Sequence, residues 1–175
     1  RAVAGLTLLA GGVTAIHRAL GLSSLRVPVV NVPLSPALLA NAKKLALFVS
    51  GAAYQKFGEK LAEEQEVVGH LSDIIIDIYL GESAVLRALK ARSSGGGTLV
   101  LNDLALNFLN AAVGRMEAHA RQALAATSQG DELRAQLGIV RRLLRWTPLN
   151  GVALQRRIAK RLCEVGSYPA LIAAR

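Results

Sequence analysis

One cysteine, Cys163, stands in 175 residues, so the chain can form no internal disulfide and no cysteine-based zinc site. A reducing compartment is the default expectation. Cys163 lies among apolar neighbours on a predicted helix, which favours a small buried hydrophobe over a nucleophile. Aromatic residues make up only 4% of the chain, and a single tryptophan is thin support for a nucleic-acid platform, which interleaves several rings. Strand patterning is scarce, and Val27–Val32 is interrupted by Pro28. No apolar run reaches the roughly 20 residues a spanning helix needs. The longest uncharged run near the start, Ala2–Ile16, is glycine-rich and lacks a clear small-x-small cleavage site followed by mature polar sequence. A buried or membrane-surface segment is the preferred reading. The loop Ser93–Gly97 reads as a flexible connector, because it lacks the GxxxxGK[ST] pattern of a phosphate cradle. No internal repeat is visible, and Arg1 in place of an initiator Met implies a processed, trimmed or fragmentary chain.

Hydrophobic residues, mostly Ala and Leu, account for 52% of the chain. That composition favours helices packed through small and branched side chains. Residues 19–35 form a connector, with Pro28 and Pro33 blocking helix and Ser23, Ser24 and Asn31 favouring turns. Ser35 followed by Pro36 has the form of a helix start. Helices are expected over about 36–61, 66–92, 99–126, 131–145 and 151–165, with a break near 62–66. Their inward rows are Leu38, Ala42, Leu45, Val49, Ala53, Phe57 and Leu61, then Val67, Leu71, Ile74, Ile78, Val85 and Leu89. The third helix turns Leu101, Leu104, Phe108, Ala112, Met116, Ala120 and Leu124 inward. The fourth and fifth use Leu133, Leu137, Val140 and Leu144, then Leu154, Ile158 and Leu162. On the second helix a further row, Val68, Ile75, Tyr79 and Leu86, widens the apolar stripe, and Asp73, Asp77, Glu82 and Arg87 take the other face. The fold class is therefore all-α: an antiparallel bundle of four to five helices over 36–175, preceded by an apolar segment and connector over 1–35.

The net charge of +9 is unevenly spread. Residues 1–35 carry three Arg and no acid, residues 36–130 carry nine bases and nine acids, and residues 131–175 carry nine bases and three acids. The middle is a neutral scaffold with cationic ends. Arg141, Arg142 and Arg145 beside Trp146, and Arg156, Arg157, Lys160 and Arg161, make two basic clusters. Both read first as solvated helix faces, and next as a docking face for acidic protein surface or phospholipid headgroups. Specific nucleic-acid binding is not expected.

His70, Asp73 and Asp77 share one helical face at spacings that could hold a metal or an acid–base pair. Bundle metal sites draw matching ligands from other helices, however, and no Glu-x-x-His pair exists in the chain. A solvated or salt-bridged face, with Arg87 or lysines as partners, is the favoured reading. Tyr79 is expected to bury its ring at the bundle edge.

The segment LSDIIIDIYLGESAVLRA, Leu71–Ala88, resembles the C-terminal extension of very-long-chain acyl-CoA dehydrogenases and their bacterial relatives. The resemblance extends through Lys43–Gln65 and, more weakly, Leu154–Tyr168, and covers about three quarters of the chain. Its sharpest part is D-x-x-x-D-x-Y at Asp73, Asp77 and Tyr79. The family implies FAD-dependent α,β-desaturation of long-chain acyl-CoA in fatty acid β-oxidation, with electrons passed to an electron-transfer flavoprotein. Its catalytic glutamate belongs to the dehydrogenase core, and the EGTNE-like motif that follows is absent here. Glu82 in GESA is no equivalent. The resemblance thus implies a non-catalytic domain with no catalytic, metal or cofactor residue of its own and FAD in the parent enzyme. Expected partners are the core domains of the same protein, in a homodimeric, cytoplasmic bacterial enzyme. Residues 1–34 would match the segment joining core and extension, with Leu6, Leu8, Leu9, Val13, Ile16 and Arg18 as a membrane contact or, equally, as a surface buried against the core. The alternative is a stand-alone helical adaptor for an acidic protein surface or a membrane.

Overall fold

A computed structural model describes residues 36–93 and 98–166, and every regular element among them is helical. Helix α1 is Pro36–Phe57, followed by a 3-10 segment, Gly58–Glu63. Helices α2 (Gln65–Ser93), α3 (Thr98–Thr127), α4 (Gly130–Leu143) and α5 (Gly151–Val165) complete the order. The expected all-α fold is observed, with helix limits within about three residues except at the end of α1. There the expected break falls earlier, because Gly58 takes a left-handed φ of 57° that an α-helix does not continue through. The apolar segment and connector, including every residue named there for membrane contact, lie outside the described residues, as does 94–97.

Helices α2 and α3 form an antiparallel hairpin, since His70 meets His119, Asp77 meets Arg115, and Gly81 meets Leu109. Two apolar clusters hold the bundle. One joins Leu45 and Val49 of α1, Ile74 of α2, Met116 and Leu124 of α3 and Val140 of α4. The other joins Val85 of α2, Leu106 and Leu109 of α3 and Leu154 of α5. Phe108 and Trp146 pack against both clusters. Helix ends are closed locally. Asn150 Oδ1 accepts from the Ala153 N–H at 3.0 Å, and Gly166, at φ 66°, donates its N–H to the Leu162 carbonyl.

The expected inward rows are buried or partly buried throughout. Of the expected second row on α2 only Leu86 is partly buried: Val68, Ile75 and Tyr79 are exposed, and Tyr79 is 69% so. Neighbouring helices cover the face that carries Val67, Leu71, Ile74 and Ile78, and the apolar stripe is wider than that face. Cys163 is also exposed, because α5 turns Leu154 and Ile158 inward and Cys163 falls on the far side.

Candidate functional site

The residues that suggested chemistry on α2 are used to join helices. Asp77 is 6% exposed, although it was expected on the outer face. Its partner is Arg115 on α3, not Arg87 or a lysine. Arg115 donates from Nε to Oδ2 at 3.0 Å and from Nη2 to Oδ1 at 2.6 Å, a bidentate fork. These hydrogen bonds, aided by the charge of Asp77 and opposed by partial burial, raise the Arg115 pKa. The guanidinium also lies 5.4 Å from the Phe108 ring centroid, where the ring face attracts a cation. Glu82 accepts from Lys43 of α1 at 2.6 Å, and both side chains are largely covered. Asp103 of α3 accepts both arms of Arg157 of α5, and this pair raises the pKa of Arg157.

His70 gains a neighbour that its own helix does not reveal. His119 of α3 approaches it with Nδ1 to Nδ1 at 3.1 Å, one ring donating to the other, and Asp73 Oδ2 lies 3.6 Å from His119 Nδ1. Tertiary pairing across 49 positions brings His119 to the face that His70 and Asp73 share, and no local spacing pointed to His119. Among the described residues, no three His, Cys, Asp or Glu side chains are grouped to hold a metal ion.

The first basic cluster, Arg141, Arg142 and Arg145, is exposed at the end of α4 and in the connector after it. Trp146 is not part of an open platform. Its Nε1 donates to Asn110 Oδ1 at 3.2 Å, and the same oxygen accepts the Leu149 N–H at 2.8 Å. Asn110 Nδ2 donates to the Leu149 carbonyl at 3.3 Å. One α3 amide thus pins the α4–α5 connector, a role no motif announced. Substituting Asn110→Ala should cost about 2 kcal/mol, because the Trp146 and Leu149 donors lose their acceptor. Urea unfolding followed by Trp146 fluorescence reads both the stability and the loosened ring. In the second basic cluster Arg157 is bound to Asp103 and Arg161 lies 3.4 Å from Glu164, while Arg156 and Lys160 are exposed without an ion pair among the described residues.

The all-α bundle agrees with the helical extension that the resemblance implies. The family model for the acyl-CoA dehydrogenase C-terminal domain matches residues 41–142. The chain belongs to that family. It is 37% identical over 133 residues to a probable acyl-CoA dehydrogenase of Bacillus subtilis (strain 168), covering 75% of this chain and 22% of that protein. It is also similar to the crystal structure of an acyl-CoA dehydrogenase complexed with FAD from Bacillus anthracis. That similarity has a TM-score of 0.74 and 36% identity, over 89% of this chain and 28% of the other. The chain therefore spans between a fifth and a third of the relatives it matches.

Asp77, Glu82, Asp103 and Asn110 are each bonded to a group on another helix or on the α4–α5 connector, so these side chains are taken up in holding the bundle. No helix among the described residues is long and apolar enough to cross a membrane.

Proposed function

We propose that the chain is a non-catalytic helical domain of an FAD-dependent, long-chain acyl-CoA dehydrogenase of fatty acid β-oxidation, and that it serves in packing between domains. The observation that carries this reading is the commitment of its interhelical carboxylates. Asp77, Glu82 and Asp103 each meet a cation of a neighbouring helix. A carboxylate so held has its lone pairs occupied by charged donors, which suits a clamp and not a proton carrier. Family membership and the small share of each relative that the chain spans agree with an appendage to a larger enzyme. In that enzyme the flavin would be held by the core, and the acyl-CoA with it.

The purified 175-residue chain, given long-chain acyl-CoA, FAD and an artificial electron acceptor, is expected to show no reduction of the acceptor above the rate without protein. Acyl-CoA-dependent turnover by this chain would overturn the reading. The exposed cations Arg141, Arg142, Arg145, Arg156 and Lys160 favour a second, compatible role, peripheral contact with an anionic surface such as phospholipid headgroups or acidic protein.

A further inference from the structure

Between Val68 and Leu80 the outer side of α2 is mostly apolar, interrupted by Ser72, where a helix facing water is ordinarily polar. Val68, Ile75, Ile76, Tyr79 and Leu80 are 36%, 43%, 52%, 69% and 45% exposed. At about 100° per residue they occupy about 140° of the helix circumference, on the side away from the buried row Val67, Leu71, Ile74 and Ile78. We infer that this face is the seat on which the dehydrogenase core domains of the same polypeptide rest, an inference that builds on the reading of the chain as an appended domain.

Size and charge commit the face to that occupant. The five exposures amount to about two and a half fully exposed residues, on the order of 400 Å². A stable interface between free proteins buries about 800 Å² on each partner. Two free copies of this chain meeting on α2 would fall well short of that. A partner in the same polypeptide meets the face at an effective concentration on the order of millimolar, so a smaller patch holds it. The family relatives are several times longer than this chain and supply such a partner.

Between Gln65 and Leu86, α2 carries Glu66, Asp73, Asp77 and Glu82 and neither Lys nor Arg. Arg115 and Lys43 neutralise Asp77 and Glu82. Glu66 and Asp73 remain exposed, and both lie within about 40° of Leu80 around the helix, so they border the patch along one side. Glu63, just before α2, is exposed as well. That acidic edge repels anionic headgroups, while the exposed cations of α2, Arg87, Lys90 and Arg92, lie beyond the patch toward the end of the helix and Arg141, Arg142, Arg145, Arg156 and Lys160 stand on α4, α5 and the connector between them. The matching surface is a protein face that is apolar at its centre and carries Lys, Arg or N–H donors at its edge.

Labelling of a cysteine within the patch tests the assignment. In a Cys163→Ser background, Ile76→Cys is treated with a maleimide, both in the 175-residue chain and in the full-length enzyme. Labelling is expected to be at least about tenfold slower in the full-length enzyme, as burial of an exposed residue at a packed contact requires. Equal rates in the two proteins would overturn the proposal. So would slowing in the short chain as its concentration rises, which marks a second copy, or on addition of anionic vesicles, which marks lipid. A second variant, Ile76→Glu with Leu80→Glu, should leave the melting temperature of the short chain within about 3 °C, since both positions face water there. In the full-length enzyme the same pair should speed proteolytic release of the domain several-fold, and unchanged release would count against the seat. Acyl-CoA turnover by the short chain alone would instead sink the appended-domain reading, so the two failures are separable.

Discussion

Replacing Arg115 with methionine is expected to lower the unfolding free energy by about 3 kcal/mol, the lower part of the range for breaking a buried ion pair. The cost does not come from Arg115 itself, whose side chain is 46% exposed and whose charge is well hydrated. It comes from Asp77, which is 6% exposed and receives both of its charged hydrogen bonds from that one guanidinium. Without the fork, a carboxylate wedged between α2 and α3 must admit water or give up its charge, and either loosens the hairpin. Asp77→Leu is expected to cost less, because it removes the buried charge and releases Arg115 to solvent. The double variant Asp77→Leu with Arg115→Met should recover most of the loss, since an apolar pair of similar volume replaces the ionic one. Urea unfolding of the four proteins measures this directly. If Arg115→Met were no worse than Asp77→Leu, the pair would be an ordinary surface contact worth under about 1 kcal/mol.

Enlarging Gly81 is the second change with a large expected effect. A Cβ at this position would sit 2.7 Å from Leu109 Cδ2 and 3.6 Å from Leu39 Cδ2. Leu109 is 1% exposed and has little room to turn away. Gly81→Val, with two further methyl groups and a stiff χ1, should destabilise the domain by about 3 kcal/mol, the upper end of ordinary overpacking. Gly81→Ala should cost about 1 kcal/mol, because the higher helix propensity of alanine offsets part of the clash. Leu109→Ala makes the test specific. If the clash is the cause, the loss from Gly81→Val should shrink sharply in that background. Additive losses would show that Gly81 matters for another reason.

The inward rows of all five helices were legible because burial on a helix leaves a 3.6-residue period in the sequence. The row on α1 from Leu38 to Ala53 and the row on α2 from Val67 to Val85 are buried as that period requires. The end of α1 was less legible, since Gly58 lies inside an apolar pattern that would otherwise continue. Tyr79 and Ile75 carry the same period yet stand in solvent, because the pattern records only that a residue is apolar and not which neighbour covers it. The pairs Asp77–Arg115, His70–His119 and Asn110–Trp146 were not legible at all. Their members are 36 to 49 positions apart, and no local spacing ties them.

By itself the sequence determined the all-α class, the order of the helices, the inward faces and the family to which the chain belongs. These depend on local periodicity and on residue wording that each helix carries alone. The tertiary structure decided how the polar residues are used: which carboxylate is buried, which cation closes it, and which apolar face of α2 is left open. Those outcomes depend on the register of α2 against α3 and on how far α1, α4 and α5 wrap around them. Register and coverage are properties of helix pairs, so no single helix encodes them.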